Sequence, residues 1–309
     1  MEGRINEKKL LSILDEIYPE YNYIDTIKES KSNIILKMKH TKTKKIYLLK
    51  VFHNSDPHEF NFMSYFIKNN LKCKFISAPL DIKTFKNLLF IVYDFIKGGD
   101  LIDVLNKGLM KEHQIRCIAR SMLKALNFLH SNKIIHCDIK PENILMNSNE
   151  EYILIDYDLA KKGSLDKYGR LSYDSTCVFG TEDFVAPENF NKIYGEFTDI
   201  WCLGLTLFTC VIHDNARNGY KFKWEKLYKS KISIPGKHFI LSCISFNYRD
   251  RKTLHELLDH PWITNNEYGM KKIKSEFKDH LIDGHHRYHK EVMRIIENKK
   301  SHGDCCIIL

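Results

Sequence analysis

No stretch of this chain approaches 18 consecutive apolar residues, which excludes a transmembrane helix. No C-x-x-C pair occurs among its nine cysteines, Cys73, Cys117, Cys137, Cys177, Cys202, Cys210, Cys243, Cys305 and Cys306. The opening MEGRINEKKL alternates charges and has no apolar stretch of a signal peptide. An odd, scattered set of thiols behind such a start reads as reduced cysteine in the cytosol, not as a disulfide scaffold. No internal repeat, low-complexity tract or basic-aromatic stripe is present, so no nucleic-acid site is expected. Glycine, proline and alanine are scarce, at 14, 7 and 6 residues, against abundant Lys, Ile and Asn. That bias fits an AT-rich genome, such as a large DNA virus or a protist, and says nothing about activity. What is present suffices for a folded protein. The 309 residues allow one or two domains, and 43% hydrophobic with 12% aromatic residues excludes wholesale disorder. Lys plus Arg is 48 and Asp plus Glu 39; the net charge of +9 favours acidic partners but is spread thinly.

The pattern changes along the chain. Leu10, Leu11, Ile13, Leu14 and Ile17 share one face of a helix. NIILKMKH and KIYLLKVF, parted by the polar turn TKTKK, read as short strand-like runs. A short helix is expected over His58 to Lys68, then strands in KFISAPL and LLFIVYDF. After Gly98-Gly99-Asp100 the pattern is helical, with Ile115, Ile118, Met122, Leu126 and Leu129 spaced for burial. DIWCLGLTLFTCVI, 199–212, reads as a central core helix. The polar tail after residue 264 holds one helical stripe, Tyr288, Val292, Ile295 and Ile296. It fits a helix docked on the body or one that binds a partner.

Chemistry concentrates in IIHCDIKPENILM, 134–146, and ILIDYDLA, 153–160. Asp138, Lys140, Asn143 and Asp156 would stand on loops at strand ends. Phosphoryl transfer needs such a group: a carboxylate to accept a hydroxyl proton, a carboxylate and an amide oxygen for Mg²⁺, and a lysine facing the γ-phosphate. Taken singly, each reads as a polar loop residue.

Here the sequence resembles the eukaryotic protein kinase family. HCDIKPEN is similar to its catalytic loop and DYD to its D-F-G, with Asn143 and Asp156 thirteen residues apart. GTEDFVAPE ends in its A-P-E, DIWCLG begins its D-x-W-x-x-G helix, and Arg251 matches the arginine that pairs with Glu188. The resemblance implies an α+β, bilobal fold with a small antiparallel β-sheet lobe carrying one helix and a larger, mostly helical lobe. It implies a domain over 23–264, with lobes 23–95 and 96–264, after an extension at 1–22 and before a tail at 265–309. It implies ATP and Mg²⁺ as cofactors and a protein substrate. Asp138 is then the base, Lys140 contacts the γ-phosphate and Lys50 the α/β-phosphates, and Asn143 with Asp156 holds the metal. Lys140 and Gly180-Thr181 mark serine/threonine specificity. Glu59, nine residues after Lys50, is the expected helix partner. Tyr93 is the gatekeeper, Asp94 to Ile96 the hinge, Asp100 the ribose contact, and Ile27 and Ile35 flank the nucleotide.

The departures matter as much. With Ile35 on the phosphate loop's valine, its three glycine positions hold Lys28, Ser30 and Asn33. Side chains there hinder the close approach of backbone to phosphate that glycine allows. Lys28 or Lys31 offers a point charge in compensation. Leu48 narrows the adenine roof, Asp158 replaces the last glycine of D-F-G, and Cys137 replaces the arginine that receives an activation-segment phosphate. Ser172, Ser175 and Thr176 then lack a local receptor. The expected activity is serine/threonine phosphorylation. The alternatives are a weak or inactive pseudokinase serving as a scaffold, and a small-molecule kinase, against which GTEDFVAPE argues. Cys306-Ile307-Ile308-Leu309 matches a C-a-a-X prenylation signal, with Cys305 as a second acyl site, so a tether to the cytosolic face of a membrane is expected. His280, His285, His286, His289 and His302 lack a zinc spacing and read as solvated.

Overall fold

The strand-like runs of the first hundred residues fold as one antiparallel sheet. The computed structural model describes residues 7–53, 57–218, 221–276 and 307–308. It divides into two compact units between Lys97 and Gly98.

In the N-terminal unit, α1 (Glu7–Ile17) precedes β1 (Tyr21–Glu29), β2 (Asn33–His40) and β3 (Ile46–Phe52); α2 (Pro57–Lys68), β4 (Asp81–Phe85) and β5 (Leu88–Asp94) follow. The strand order is β1-β2-β3-β5-β4. Period-two alternation puts Ile34, Leu36 and Met38, Leu49 and Val51, and Leu88, Phe90 and Val92 in one buried cluster. The apolar stripe of α1, Leu10, Ile13 and Leu14, closes that cluster together with Tyr18. Lys83 on β4 caps the helix end, donating to the Ile17 carbonyl at 2.7 Å, and its ammonium lies 4.0 Å from the Tyr18 ring centroid. Two readings from sequence need correction. KFISAPL is not a strand: residues 74–80 are irregular, and pairing with β5 begins with Asp81. Pro79 has no N–H to give a ladder. β1 starts ahead of the expected runs. Two register shifts, at Tyr23/Asp25 and Thr26/Lys28, break its alternation and hide it.

The C-terminal unit is mostly helical, with short strands around its loops. In chain order it contains α3 (Leu101–Asn106), α4 (Glu112–Ser131), β6 (Ile134–Ile135), β7 (Ile144–Met146), β8 (Tyr152–Leu154), β9 (Lys161–Lys162), β10 (Ser164–Leu165), β11 (Leu171–Asp174), β12 (Val178–Phe179), β13 (Ile193–Gly195) and α5 (Glu196–Ile212). Then come α6 (Trp224–Lys229), α7 (Ile234–Cys243), α8 (Leu254–Leu258), α9 (Pro261–Thr264) and α10 (Glu267–Glu276). α5 is apolar around its whole circumference and buried from Phe197 to Cys210. At Gly204 an added Cβ would stand 2.6 Å from Cys243 Cβ, so this glycine permits the close packing of α5 on α7. β6 pairs with β9 and β7 with β8, all antiparallel. Ile307–Ile308 lies parallel beside β12. The expected tail stripe, the tail histidines, Cys305 and Cys306 lie outside the described residues.

Candidate active site

The loop carrying Asp138 leaves β6 and turns sharply. Cys137 sits at φ 67°, a conformation that strains an L residue by about 1–2 kcal/mol. Asp199, on the first turn of α5 and fully buried, holds that turn. One oxygen accepts from the Cys137 N–H at 2.8 Å; the other accepts from the His136 N–H at 2.9 Å and meets His130 Nε2 at 2.8 Å. Charge-assisted bonds of this kind are roughly twice as strong as neutral ones, enough to offset the strain. His136 then fixes the next step. Its Nδ1 accepts from the Asp138 N–H at 3.3 Å, and its Nε2 donates to the Ile155 carbonyl at 3.1 Å. The imidazole is thereby set as the neutral Nε2–H tautomer, and its ring meets Tyr157 edge-on at 5.4 Å.

Asp138 is the centre of a closed network. Oδ2 lies 2.8 Å from Lys140 Nζ and accepts from Asn143 Nδ2 at 2.9 Å; Oδ1 accepts from the Thr181 hydroxyl at 2.7 Å. Lys140 also donates to that hydroxyl, at 2.7 Å. Asn143 gives its second N–H to the Asp138 carbonyl at 2.8 Å. Both amide hydrogens are thus used within the loop. Asp156 follows β8 at φ 67°, and the Ile155 N–H reaches the Asn143 carbonyl at 2.9 Å. Of the sequence candidates, the structure joins Asp138, Lys140 and Asn143 directly and ties the strand before Asp156 to them through the backbone.

Thr181 belongs to this network and was legible only as a mark of specificity. Nothing local in the sequence shows that a hydroxyl 43 residues from Asp138 bonds to it. The supports Asp199 and His136 were likewise invisible as such. Behind the site, Glu188 and Arg251 form a buried fork, with bonds of 2.7 and 3.0 Å. Asp100 serves α3: Oδ1 caps it at the Asp103 N–H, 2.9 Å away, in a reciprocal capping box.

The N-terminal unit carries the other candidates. Lys50 is 8% exposed on β3, opposite Ile35 in the register, with its ammonium 4.9 Å from the Phe52 ring centroid. Glu59 lies in α2, but its side chain is outside the described residues. Asp94 ends β5 and binds Lys45 at 2.6 Å, a bond that holds the lysine's pKa above its ordinary value. Ile96 is half-buried and Ile27 is exposed. The turn where three glycines were missing is a tight hairpin organised by one hydroxyl. Ser30 Oγ accepts from the Asn33 N–H at 3.0 Å and the Ser32 N–H at 3.3 Å, and donates to the Asn33 carbonyl at 3.0 Å. No residue from 28 to 33 has a positive φ, so the turn has no need of glycine.

Comparison with known proteins agrees with this geometry. The family model described as "Protein kinase domain" matches residues 21–263. Calcium-dependent protein kinase 5 of Plasmodium berghei is 30% identical over 219 residues, 65% of this chain and 38% of that protein. The probable serine/threonine-protein kinase fhkC of Dictyostelium discoideum is 29% identical over 221 residues, 66% of this chain and 36% of that protein. Mitogen-activated protein kinase kinase 1 of Arabidopsis thaliana is 28% identical over 275 residues, 82% of this chain and 76% of that protein. The chain thus spans little more than a third of two of these relatives. A match over most of its own length, on a loop anchored by Asp199 and closed by Thr181, shows that the chain belongs to the eukaryotic-type protein kinase family.

Proposed function

We propose that this chain is an active serine/threonine kinase that transfers the γ-phosphate of ATP to protein hydroxyls. The observation that supports this best is the closed network at Asp138. A scaffold has no need to aim one carboxylate with a lysine, an amide and a hydroxyl at once. In this reading Asp138 orients the acceptor hydroxyl and takes its proton. The site of that hydroxyl is marked by Thr181, whose own O–H already donates to Oδ1. Lys140, with its ammonium between Asp138 and Thr181, neutralises charge on the transferring group. Lys50 takes the α/β-phosphates.

The residues fit a magnesium ion. Asn143 spends both amide hydrogens on Asp138, which leaves its hard amide oxygen as a ligand, and Asp156 adds a carboxylate. Asn143 and Asp156 would hold Mg²⁺, which supplies charge neutralisation at the phosphates when bound. The deciding experiment is phosphate transfer to a protein acceptor by wild type and Asp138→Asn, each with its melting curve. Loss of transfer in a folded variant supports the assignment; equal transfer refutes it.

A second reading, a pseudokinase with weak nucleotide binding, is favoured by the Ser30 turn, whose N–H groups are already satisfied internally. Calorimetric titration with Mg·ATP separates the two. Membrane attachment through Cys306, with Cys305 as a second acyl site, is part of the proposal and rests on the sequence motif alone.

A further inference from the structure

The segment from Asp156 to Glu188 is ordered although residue 137 offers no cation to a phosphate. Strand pairing accounts for part of this: β9 joins β6, and β11 joins β13 with Ser172 opposite Gly195 and Tyr173 opposite Tyr194. Ile307–Ile308 pairs with β12, placing Ile308 opposite Phe179, and the side-chain contacts converge on Tyr194. Its side chain is fully buried, and its ring stacks on Phe179 with centroids 4.0 Å apart and planes 1° from parallel. Its hydroxyl accepts from the Phe179 N–H at 2.7 Å and donates to the Phe179 carbonyl at 3.0 Å. Burial pushes the phenol pKa up, so the donor proton is retained. Phe179 is two residues from Thr181, with Gly180 between them at φ 120°, where a side chain is disfavoured. Cys137, next to Asp138, lies in the same apolar cluster as Leu171, Phe179 and Tyr194. Tyr194 also stands just ahead of α5, the helix whose Asp199 fixes the backbone of His136 and Cys137. One helix start therefore anchors both the loop bearing Asp138 and the segment bearing Thr181.

We propose that Tyr194 is a positioning residue for phosphoryl transfer: by fixing both polar backbone groups of Phe179 it sets Thr181 against Asp138, and it gives the segment an order that needs no phosphate. The inference rests on the kinase reading above.

The test is Tyr194→Phe in the full chain, which keeps the stack and removes both hydrogen bonds. The kcat on a serine peptide should fall roughly tenfold, with KM for ATP unchanged, as expected for loss of bonds of ordinary strength. Hydrogen exchange at the Phe179 amide should quicken while that of α4 and α5 does not. In a Thr181→Ala background the further loss from Tyr194→Phe should vanish, because the hydroxyl being positioned is gone. An equal fold loss in both backgrounds shows a merely structural role and overturns the proposal, as does wild-type kcat in Tyr194→Phe. Should wild type transfer no phosphate, the kinase reading fails by itself. The exchange measurement needs no activity, and an unchanged rate at Phe179 then refutes the positioning role.

Discussion

Breaking the Glu188–Arg251 fork should unfold this protein well below its normal melting temperature. The side chains are 2% and 0% exposed. The guanidinium has four acceptors: both Glu188 oxygens, the Ser245 carbonyl at 3.0 Å and the Phe197 carbonyl. Its face lies 4.9 Å from the Trp201 ring centroid. Glu188→Ala leaves a cation in the interior with two carbonyls and no anion. Breaking a buried pair in this way costs about 3–5 kcal/mol, chiefly because the abandoned charge has lost water and partner alike. At about 2–4 °C per kcal/mol, the melting temperature should drop by about 6–20 °C. Arg251→Lys should recover little of the loss, since an ammonium cannot make the bidentate fork. The double change Glu188→Leu with Arg251→Met should cost less than either break alone, because no charge is then stranded. Differential scanning calorimetry on wild type and the variants checks the set. A single variant within 1 kcal/mol of wild type, or a double variant equal to the sum of the singles, would sink the argument.

Four other outcomes follow from particular contacts. Ser30→Gly frees the N–H groups of Ser32 and Asn33 from the Ser30 hydroxyl, and Leu48→Ala widens the adenine roof; each should tighten Mg·ATP binding several-fold by calorimetry, and unchanged affinity in both would refute the reasoning. Ser175→Ala and Thr176→Ala should leave kcat within about twofold, since strand pairing and Tyr194 order the segment; a large loss together with phosphate found at that site in wild type tells against this. His260, paired with His238 at 2.9 Å, is pushed down to about 3 by burial, so the fold keeps it neutral while the unfolded chain takes up a proton near pH 6.5. Its stabilisation is full above pH 6.5 and is lost as pH falls from there towards 3; His260→Asn, which can still cap α9, should flatten the melting-temperature profile in that window. Cys306→Ser should move the protein from the membrane to the soluble fraction of cells, and a wild type already soluble with an unmodified C-terminus would end the tether hypothesis.

Sequence by itself determined the parts of this protein that are written locally. HCDIKPEN and DYD carry their chemistry within a few residues of backbone, so Asp138, Lys140, Asn143 and Asp156 were legible as one group. Short strand-like runs marked β2, β3 and β5, and continuous apolarity marked α5 as the core helix, because burial of a face or of a whole cylinder imposes such patterns directly. Tertiary structure decided what depends on residues far apart in the chain. It decided that Thr181 closes the network at Asp138, that Asp199 holds the strained turn at Cys137, and that Asp100 caps α3. It also decided what stands at two departures: a Ser30 hydroxyl folds the hairpin where the glycines are missing, and Cys137 packs with Phe179 and Tyr194 where the arginine is missing. A motif names the residue types a local geometry favours, but a hydrogen bond or ring stack needs only proximity. Proximity across tens of residues is set by packing, and no window of sequence contains it.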